Sequence, residues 1–106
     1  MATTLRMGRG TTPLYTISIT GVPLEDIADI YMTFEQNKSG QELTKHFPEI
    51  AESSGVYSVK LTQAETLAFQ KGSGKVQIIL LDVLGNAIKT EIWNMTVSDV
   101  LYEEVI

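Results

Sequence analysis

Residues 75–98 read KVQIILLDVLGNAIKTEIWNMTVS, two long apolar runs joined by Gly85-Asn86. Apolar residues recur at alternate positions on both sides of this dipeptide, which is the period of a β-strand. Glycine in the first central position is typical of a two-residue type II′ turn. The pattern therefore predicts a β-hairpin with strands 75–84 and 87–98. Its turn sets the cross-strand pairs Val83–Ile88, Asp82–Lys89, Leu81–Thr90, Leu80–Glu91, Ile79–Ile92, Ile78–Trp93 and Val76–Met95.

This hairpin is predicted to be apolar on both faces. One face carries Val76, Ile78, Leu80, Trp93 and Met95. Because a sheet in a β-sandwich usually buries one face and exposes the other, the second apolar face needs a cover of its own. Either a helix or tail of the same chain covers it, or another protein subunit does. The interface residues predicted on this basis are Ile79, Leu81, Val83, Ile88, Ile92 and, in the apolar C-terminal tail, Tyr102.

The rest of the chain predicts more strands and one helix. Alternating patterns indicate strands over residues 14–20, 29–36, 41–47 and 55–61. The run Thr62-Gln63-Ala64-Glu65 matches a helix capping box, and the glycines after Lys71 end that helix by about residue 70. The tail, residues 99–106, could be a last strand, a docked helical turn or a peptide offered to a partner.

Strands separated by turns, with one crossover helix, favour an all-β fold. We predict an immunoglobulin-like antiparallel β-sandwich of about seven strands with one short helix near residues 63–70. Residues 13–106 are expected to form this single domain. Residues 1–12 are small, polar and Gly-rich, which predicts a flexible N-terminal arm.

Composition excludes several classes of function. The chain has 106 residues, no cysteine and a net charge of −5. The lack of cysteine excludes a disulfide framework and a thiolate metal site, and it fits folding in a reducing cytosol. Acidic charge spread along the chain repels nucleic acid. The N-terminus lacks the apolar core of a signal peptide and no run approaches membrane-spanning length, so we expect neither classical secretion nor a membrane partner.

The side chains offer no catalytic, cofactor-binding or metal-binding pattern. His46 is expected to be a surface or half-buried strand residue, since no carboxylate, serine or second histidine stands at ligand spacing from it. Asp26 and Asp29 lack the alternating oxygen ligands of a calcium loop. Gly72-Ser73-Gly74-Lys75 lacks the frame of a phosphate-binding loop. We therefore expect a protein that is not an enzyme and that holds no cofactor or metal.

Aromatic residues support an alternative, a carbohydrate- or peptide-binding module. Aromatic rings stack on sugars and anchor protein interfaces. Trp93 falls at a core-facing position and is expected to plug the core. Tyr31 and Tyr102 are better surface candidates than Tyr15 and Tyr57.

The second half of the chain resembles a known class of proteins. The resemblance runs from 61–69, LTQAETLAF, through Val76-Gln77-Ile78 and Gly85-Asn86-Ala87 to 96–101, TVSDVL. These stretches are similar to small proteins encoded in prophage structural regions of Gram-positive bacteria. The order of the elements, from about Met7 onwards, also resembles the N-terminal immunoglobulin-like domain of siphophage upper baseplate proteins.

The resemblance implies a non-enzymatic virion structural or assembly subunit, associated with the tail or baseplate, whose partners are other protein subunits or further copies of itself. It implies no catalytic or ligand residue. The longer baseplate proteins continue into a fibre-like region where this sequence stops at Ile106, which implies a short adaptor or tail-associated subunit. The implied location is the host bacterial cytoplasm during assembly and then the virion.

Overall fold

Strands dominate the parts of the chain that the computed structural model describes, which are residues 4–18, 24–53, 55–89 and 92–106. The strands are β1 (Thr4–Gly8), β2 (Leu14–Ser18), β3 (Ile27–Gln36), β4 (Gln41–His46), β5 (Ile50–Ser53), β6 (Val56–Lys60), β7 (Gly72–Asp82), β8 (Ala87–Lys89) and β9 (Trp93–Ser98). One α-helix, α1, spans Gln63–Leu67, and a 3-10 helix spans Leu24–Asp26.

The strands form two sheets. The larger sheet has the order β1-β9-β7-β3-β4, and β8 pairs with β7 beside β9. The smaller sheet has the order β2-β6-β5. Among the strands that the structure describes, each pair is antiparallel except β1 with β9, which is parallel. The two sheets enclose one core, which confirms the predicted β-sandwich.

The core consists of the inward-facing residues of both sheets. From Ile30 to Gln36 in β3 and from Gly74 to Leu80 in β7 every second residue is buried, as the period of a strand requires. The largest buried apolar side chains are Tyr57, Phe34, Phe69, Met7, Ile30, Met32, Ile50, Leu61, Ile78 and Met95. Trp93 is half-buried and packs against this cluster, in line with its predicted position.

The prediction of a flexible arm over residues 1–12 is wrong for its described part. Residues 4–8 form β1, and Met7 is only 1% exposed in the core. The Tyr15 hydroxyl donates to the carbonyl oxygen of Arg6 at 2.7 Å and ties β1 to the smaller sheet. Leu5 and Met7 alternate with Thr4, Arg6 and Gly8, which is the period of a strand. This strand forms one edge of the larger sheet. Residues 1–3 lie outside the described residues.

The predicted helix and its capping box are confirmed. The Thr62 hydroxyl accepts from the Glu65 amide at 3.1 Å, and the Glu65 carboxylate accepts from the Thr62 amide at 2.8 Å. The helix ends at Leu67, earlier than expected. Phe69, just after it, is fully buried in the core. The helix therefore closes one end of the sandwich.

The predicted register of the C-terminal hairpin is wrong. Leu80 lies opposite Ile88 and Leu81 opposite Ala87, a shift of three residues, and Val76 lies opposite Trp93. The Asp82 carboxylate explains the difference, because one of its oxygens accepts from the amides of Leu84 (2.9 Å) and Asn86 (2.8 Å). An aspartate that binds the backbone ahead of it favours a wider turn than the two-residue type. Asp82 therefore stabilises the turn through these hydrogen bonds, and the cross-strand partner of Lys89 is Ile79 instead.

Candidate protein-contact surface

The outer face of the larger sheet contains a continuous row of side chains. His46, Tyr31, Ile79 and Lys89 lie directly opposite one another across β4, β3, β7 and β8. Opposite residues in a sheet share a face, so this row lies on the side away from the core. The rings of Tyr31 and His46 stack with centroids 5.2 Å apart. The row therefore joins an aromatic pair to an aliphatic side chain and a cation.

Asp29 borders this row through a bulge in β3. The pairing between β3 and β7 shifts between Ile27 and Asp29, which leaves Asp29 opposite Leu81. One Asp29 carboxylate oxygen accepts from the amides of Ile30 (2.8 Å) and Phe47 (3.2 Å). The other lies 3.4 Å from His46 Nδ1. Asp29 therefore joins the start of β3 to the end of β4.

The hydrogen bonds that the Asp29 carboxylate accepts favour its charged form. Partial desolvation raises the pKa of the Asp29 carboxyl, but the two backbone amides, the Tyr31 hydroxyl and the charge of His46 outweigh it and hold the pKa below its ordinary value. The negative charge of Asp29 in turn raises the pKa of the Tyr31 phenol. The sequence did not reveal that Asp29 lies close to His46, because seventeen positions separate them and no local motif links residues at that spacing. The pairing of Tyr31 with His46 could have been found, since the alternation of β3 and β4 places both on one face.

Ile92 lies on the same outer face. With Ile79, Thr33 and Gln77 it lines a shallow groove of about 280 Å³, whose walls also include Glu35, Glu42 and Lys75. Ile92 is 58% exposed, while Ile79 and Leu81 are half-buried by their neighbours. Three of the predicted interface residues, Ile79, Leu81 and Ile92, thus share one surface. We define the outer patch as these three residues together with Tyr31.

The structure separates the other predicted interface residues from this patch. Val83 lies at the tip of the turn, where its amide donates to the Asp26 carbonyl at 2.9 Å. Ile88 faces the same side as Leu80, because an odd shift in register moves a residue to the opposite face. Tyr102 lies in the tail beyond β9, past the end of β7 that carries Gly72, and Gly72 itself is about 23 Å along the strand from Ile79. Val83 and Ile88 therefore do not share the face of Ile79 that was predicted for them, and Tyr102 lies in the tail as predicted; an interface role for these three residues stays a prediction.

Neither the helix nor the tail covers the outer patch. Glu65 of α1 pairs with Lys45 at 2.5 Å, and Lys45 projects from the inner face of β4, opposite the buried Met32. The tail is held at the end of the sandwich, where Arg9 pairs with Asp99 at 2.7 Å and also with Glu103. Of the two covers that the sequence left open, the helix or tail of the same chain is therefore excluded, and another protein subunit remains.

The outer face of the smaller sheet is chemically different. Its outward positions carry mostly small and hydroxyl side chains: Leu14, Thr16, Ser18, Ala51, Ser53, Val56, Ser58 and Lys60. Such a face is ordinary for an antiparallel sheet in contact with water. An outer face with an aliphatic and aromatic centre is therefore specific to the larger sheet.

Other sites expected or excluded from the sequence have these outcomes. His46 is a half-exposed strand residue, as predicted, although it has a carboxylate beside it. Of the four tyrosines, Tyr15 and Tyr57 face inward, whereas Tyr31 and Tyr102 face outward. Within the described ranges, no group of three or more His, Cys, Asp or Glu side chains could hold a metal ion. None of the described helices is long and apolar enough to cross a membrane.

Comparisons with known proteins identify the fold. No protein-family model and no curated protein matches the chain. CopC from Methylosinus trichosporium OB3b superposes with a TM-score of 0.55 at 13% identity, over 92% of this chain and 90% of CopC. The fibronectin(III)-like modules of Clostridium thermocellum CbhA superpose with a TM-score of 0.51 at 13% identity, over 93% of this chain and 43% of that one. The chain has an immunoglobulin-like β-sandwich fold. At such low identity the likeness establishes the fold alone.

Proposed function

We propose that this protein is a non-enzymatic structural or assembly subunit of a phage or prophage virion, associated with the tail or baseplate. It works through protein–protein contacts made by the outer patch. The observation that carries the proposal is the position of Tyr31, Ile79, Leu81 and Ile92 on an outer sheet face that neither α1 nor the tail covers. The immunoglobulin-like sandwich is a common scaffold for such contacts.

The composition of the patch suits a protein partner. Interfaces between proteins combine an apolar, often tyrosine-containing centre with a polar rim. Here the apolar centre is bordered by Asp29, Lys75 and Lys89. Burying Ile92, which is 58% exposed, would remove apolar surface from water and stabilise a complex.

The chemistry of Asp29 and His46 supports a role without catalysis. Asp29 uses one carboxylate oxygen to bind two backbone amides, so that oxygen holds two strands together. A catalytic dyad needs a base directed at a nucleophile or a substrate. We interpret the Asp29–His46 pair as a clamp between β3 and β4.

A sugar-binding role receives less support from the aromatic residues. Tyr31 stacks on His46 at an interplanar angle of 20°, so one face of its ring is already covered. Tyr102 is 58% exposed but lies at the far end of the sandwich. The two outward tyrosines therefore do not form a common platform for a sugar ring.

The virion assignment rests on the resemblance of residues 61–101 to prophage structural proteins and on the matching order of helix and hairpin. It places the protein in the host bacterial cytoplasm during assembly and then in the particle. The test is quantitative mass spectrometry of gradient-purified particles from an induced lysogen that encodes the chain. We expect the chain at a fixed ratio to the other tail proteins. Its absence from intact, purified particles would overturn the virion assignment.

A further inference from the structure

On the outer face of the larger sheet, the acidic side chains lie on one side and the basic side chains on the other. The outward positions of β3 and β4 carry the acids Asp29, Glu35 and Glu42. The outward positions of β7, β8 and β1 carry the bases Lys75, Lys89 and Arg6. The outer patch lies between the two groups. Lys38, in the turn between β3 and β4, borders the face at one end and stands outside the strands.

One row of residues across the sheet shows this separation of acidic from basic side chains. Glu42, Glu35, Lys75, Asn94 and Thr4 lie opposite one another in β4, β3, β7, β9 and β1. Glu35 gains from the opposite charge of Lys75, but Glu42 lies directly opposite Glu35. Like charges in opposite positions destabilise a sheet. Glu42 is therefore poorly placed for the stability of its own chain.

The sorted charges also leave this face neutral. Its outward strand positions carry three acids and three bases among the described residues, whereas the whole chain has a net charge of −5. Two copies of an acidic protein repel each other over most of their surfaces. On this face the repulsion is absent, and the acid and base groups can attract their counterparts on another copy.

We infer that the partner of this face is a second copy of the same chain, packed face to face about a two-fold axis parallel to the strands. The inference rests on the proposed function, in that the same patch makes the contact. Rotation about an axis along the strands exchanges the two sides of the sheet, so the acidic β3–β4 side of each copy covers the basic β7–β8 side of the other. An axis perpendicular to the strands would instead place acids over acids. The sorting of charge thus selects the axis.

This arrangement also buries the outer patch. Residues near the axis face their own counterparts or close neighbours, which brings Ile79, Ile92 and Tyr31 of both copies together. Sheets that pack face to face lie about 10 Å apart with strands aligned within roughly 30°, a distance that long charged side chains can span. The apolar centre would supply stability, and the charges would supply orientation.

Charge reversal on the two sides tests the inference. Glu42→Lys reverses one charge on the acidic side and Lys75→Glu reverses one charge on the basic side that faces it in the other copy. Each variant alone weakens the attraction between the facing sides, so we expect it to dimerise at least about tenfold more weakly than the wild type. Mixing the two variants brings the altered acidic side of one chain against the altered basic side of the other and restores opposite charges there. The mixture should therefore form a heterodimer, which native mass spectrometry detects when one variant is isotopically labelled. Glu42→Lys also removes the repulsion from Glu35 and should fold at least as stably as the wild type in a thermal melt.

Three outcomes would overturn the inference. The first is a wild-type chain that stays monomeric in sedimentation equilibrium up to its solubility limit. The second is dimerisation of both single variants at wild-type strength, and the third is a mixture of folded variants that forms no heterodimer. None of these would change the proposed virion role, which fails only if the chain is absent from purified particles.

Discussion

Ile78 and Ile79 are neighbours in β7, yet Ile78 is fully buried in the core and Ile79 lies on the outer face beside Tyr31. The inner face of the larger sheet is apolar almost throughout and is covered by the smaller sheet. The outer face has an apolar centre, acids on one side and bases on the other. Under the proposed function, one strand serves two purposes: its inner residues stabilise the fold and its outer residues are available for contacts.

The largest expected effect is on the inner face. Ile78→Ala removes buried methyl groups and leaves a cavity, which costs about 2–5 kcal/mol. That is a large part of a total stability of roughly 5–15 kcal/mol. Urea unfolding of Ile78→Ala and of Ile79→Ala measures the contrast. Equal losses for the two variants would show that the outer face is also part of a core.

A smaller effect is expected at Asp29, the outer-face residue that does support the fold. Asp29→Asn removes the charge that accepts from the Ile30 and Phe47 amides, at a cost of about 1–2 kcal/mol near neutral pH. The pKa of Asp29 is lowered by folding, so its stabilisation is complete above the unfolded pKa of about 4 and is lost as the pH falls through the lower folded pKa. Melting temperatures of wild type and variant should therefore converge in acid. A gap that stays constant across that range would contradict the assigned role of the charge.

Much of the fold could be predicted from alternation and capping. The strands around Tyr15, Met32, Tyr57 and Ile78 and the capping box at Thr62 are local patterns, and the structure confirms them. The inward face of the hairpin was also predictable, since the register shifts by two residues at β9 and an even shift preserves the face.

The errors came from contacts between distant residues and from one side chain. β1 was missed because five residues in a Gly-rich segment form a strand by pairing with β9, at the other end of the chain. The hairpin register was missed because Asp82 binds the turn amides and widens the turn. The sequence predicts only part of the candidate surface. Ile79, Leu81 and Ile92 follow from alternation, whereas the contribution of Tyr31, His46 and Asp29 depends on the pairing of β3 with β4 and β7.

In the proposed function, the outer patch makes contacts without supporting the fold. The most direct test of this is the incorporation of Ile92→Lys into particles, supplied in a lysogen whose own copy is deleted. The matched control is Val56→Lys, an exposed aliphatic residue on the outer face of the smaller sheet.

Both variants should melt close to the wild type, because surface substitutions usually change stability by no more than about 0.5 kcal/mol. We expect Val56→Lys to be incorporated at the wild-type ratio and Ile92→Lys to be lost from the particles, since an unpaired charge is costly where a partner excludes water. Incorporation of folded Ile92→Lys at the wild-type ratio would show that the outer patch makes no contact that holds the chain in the particle.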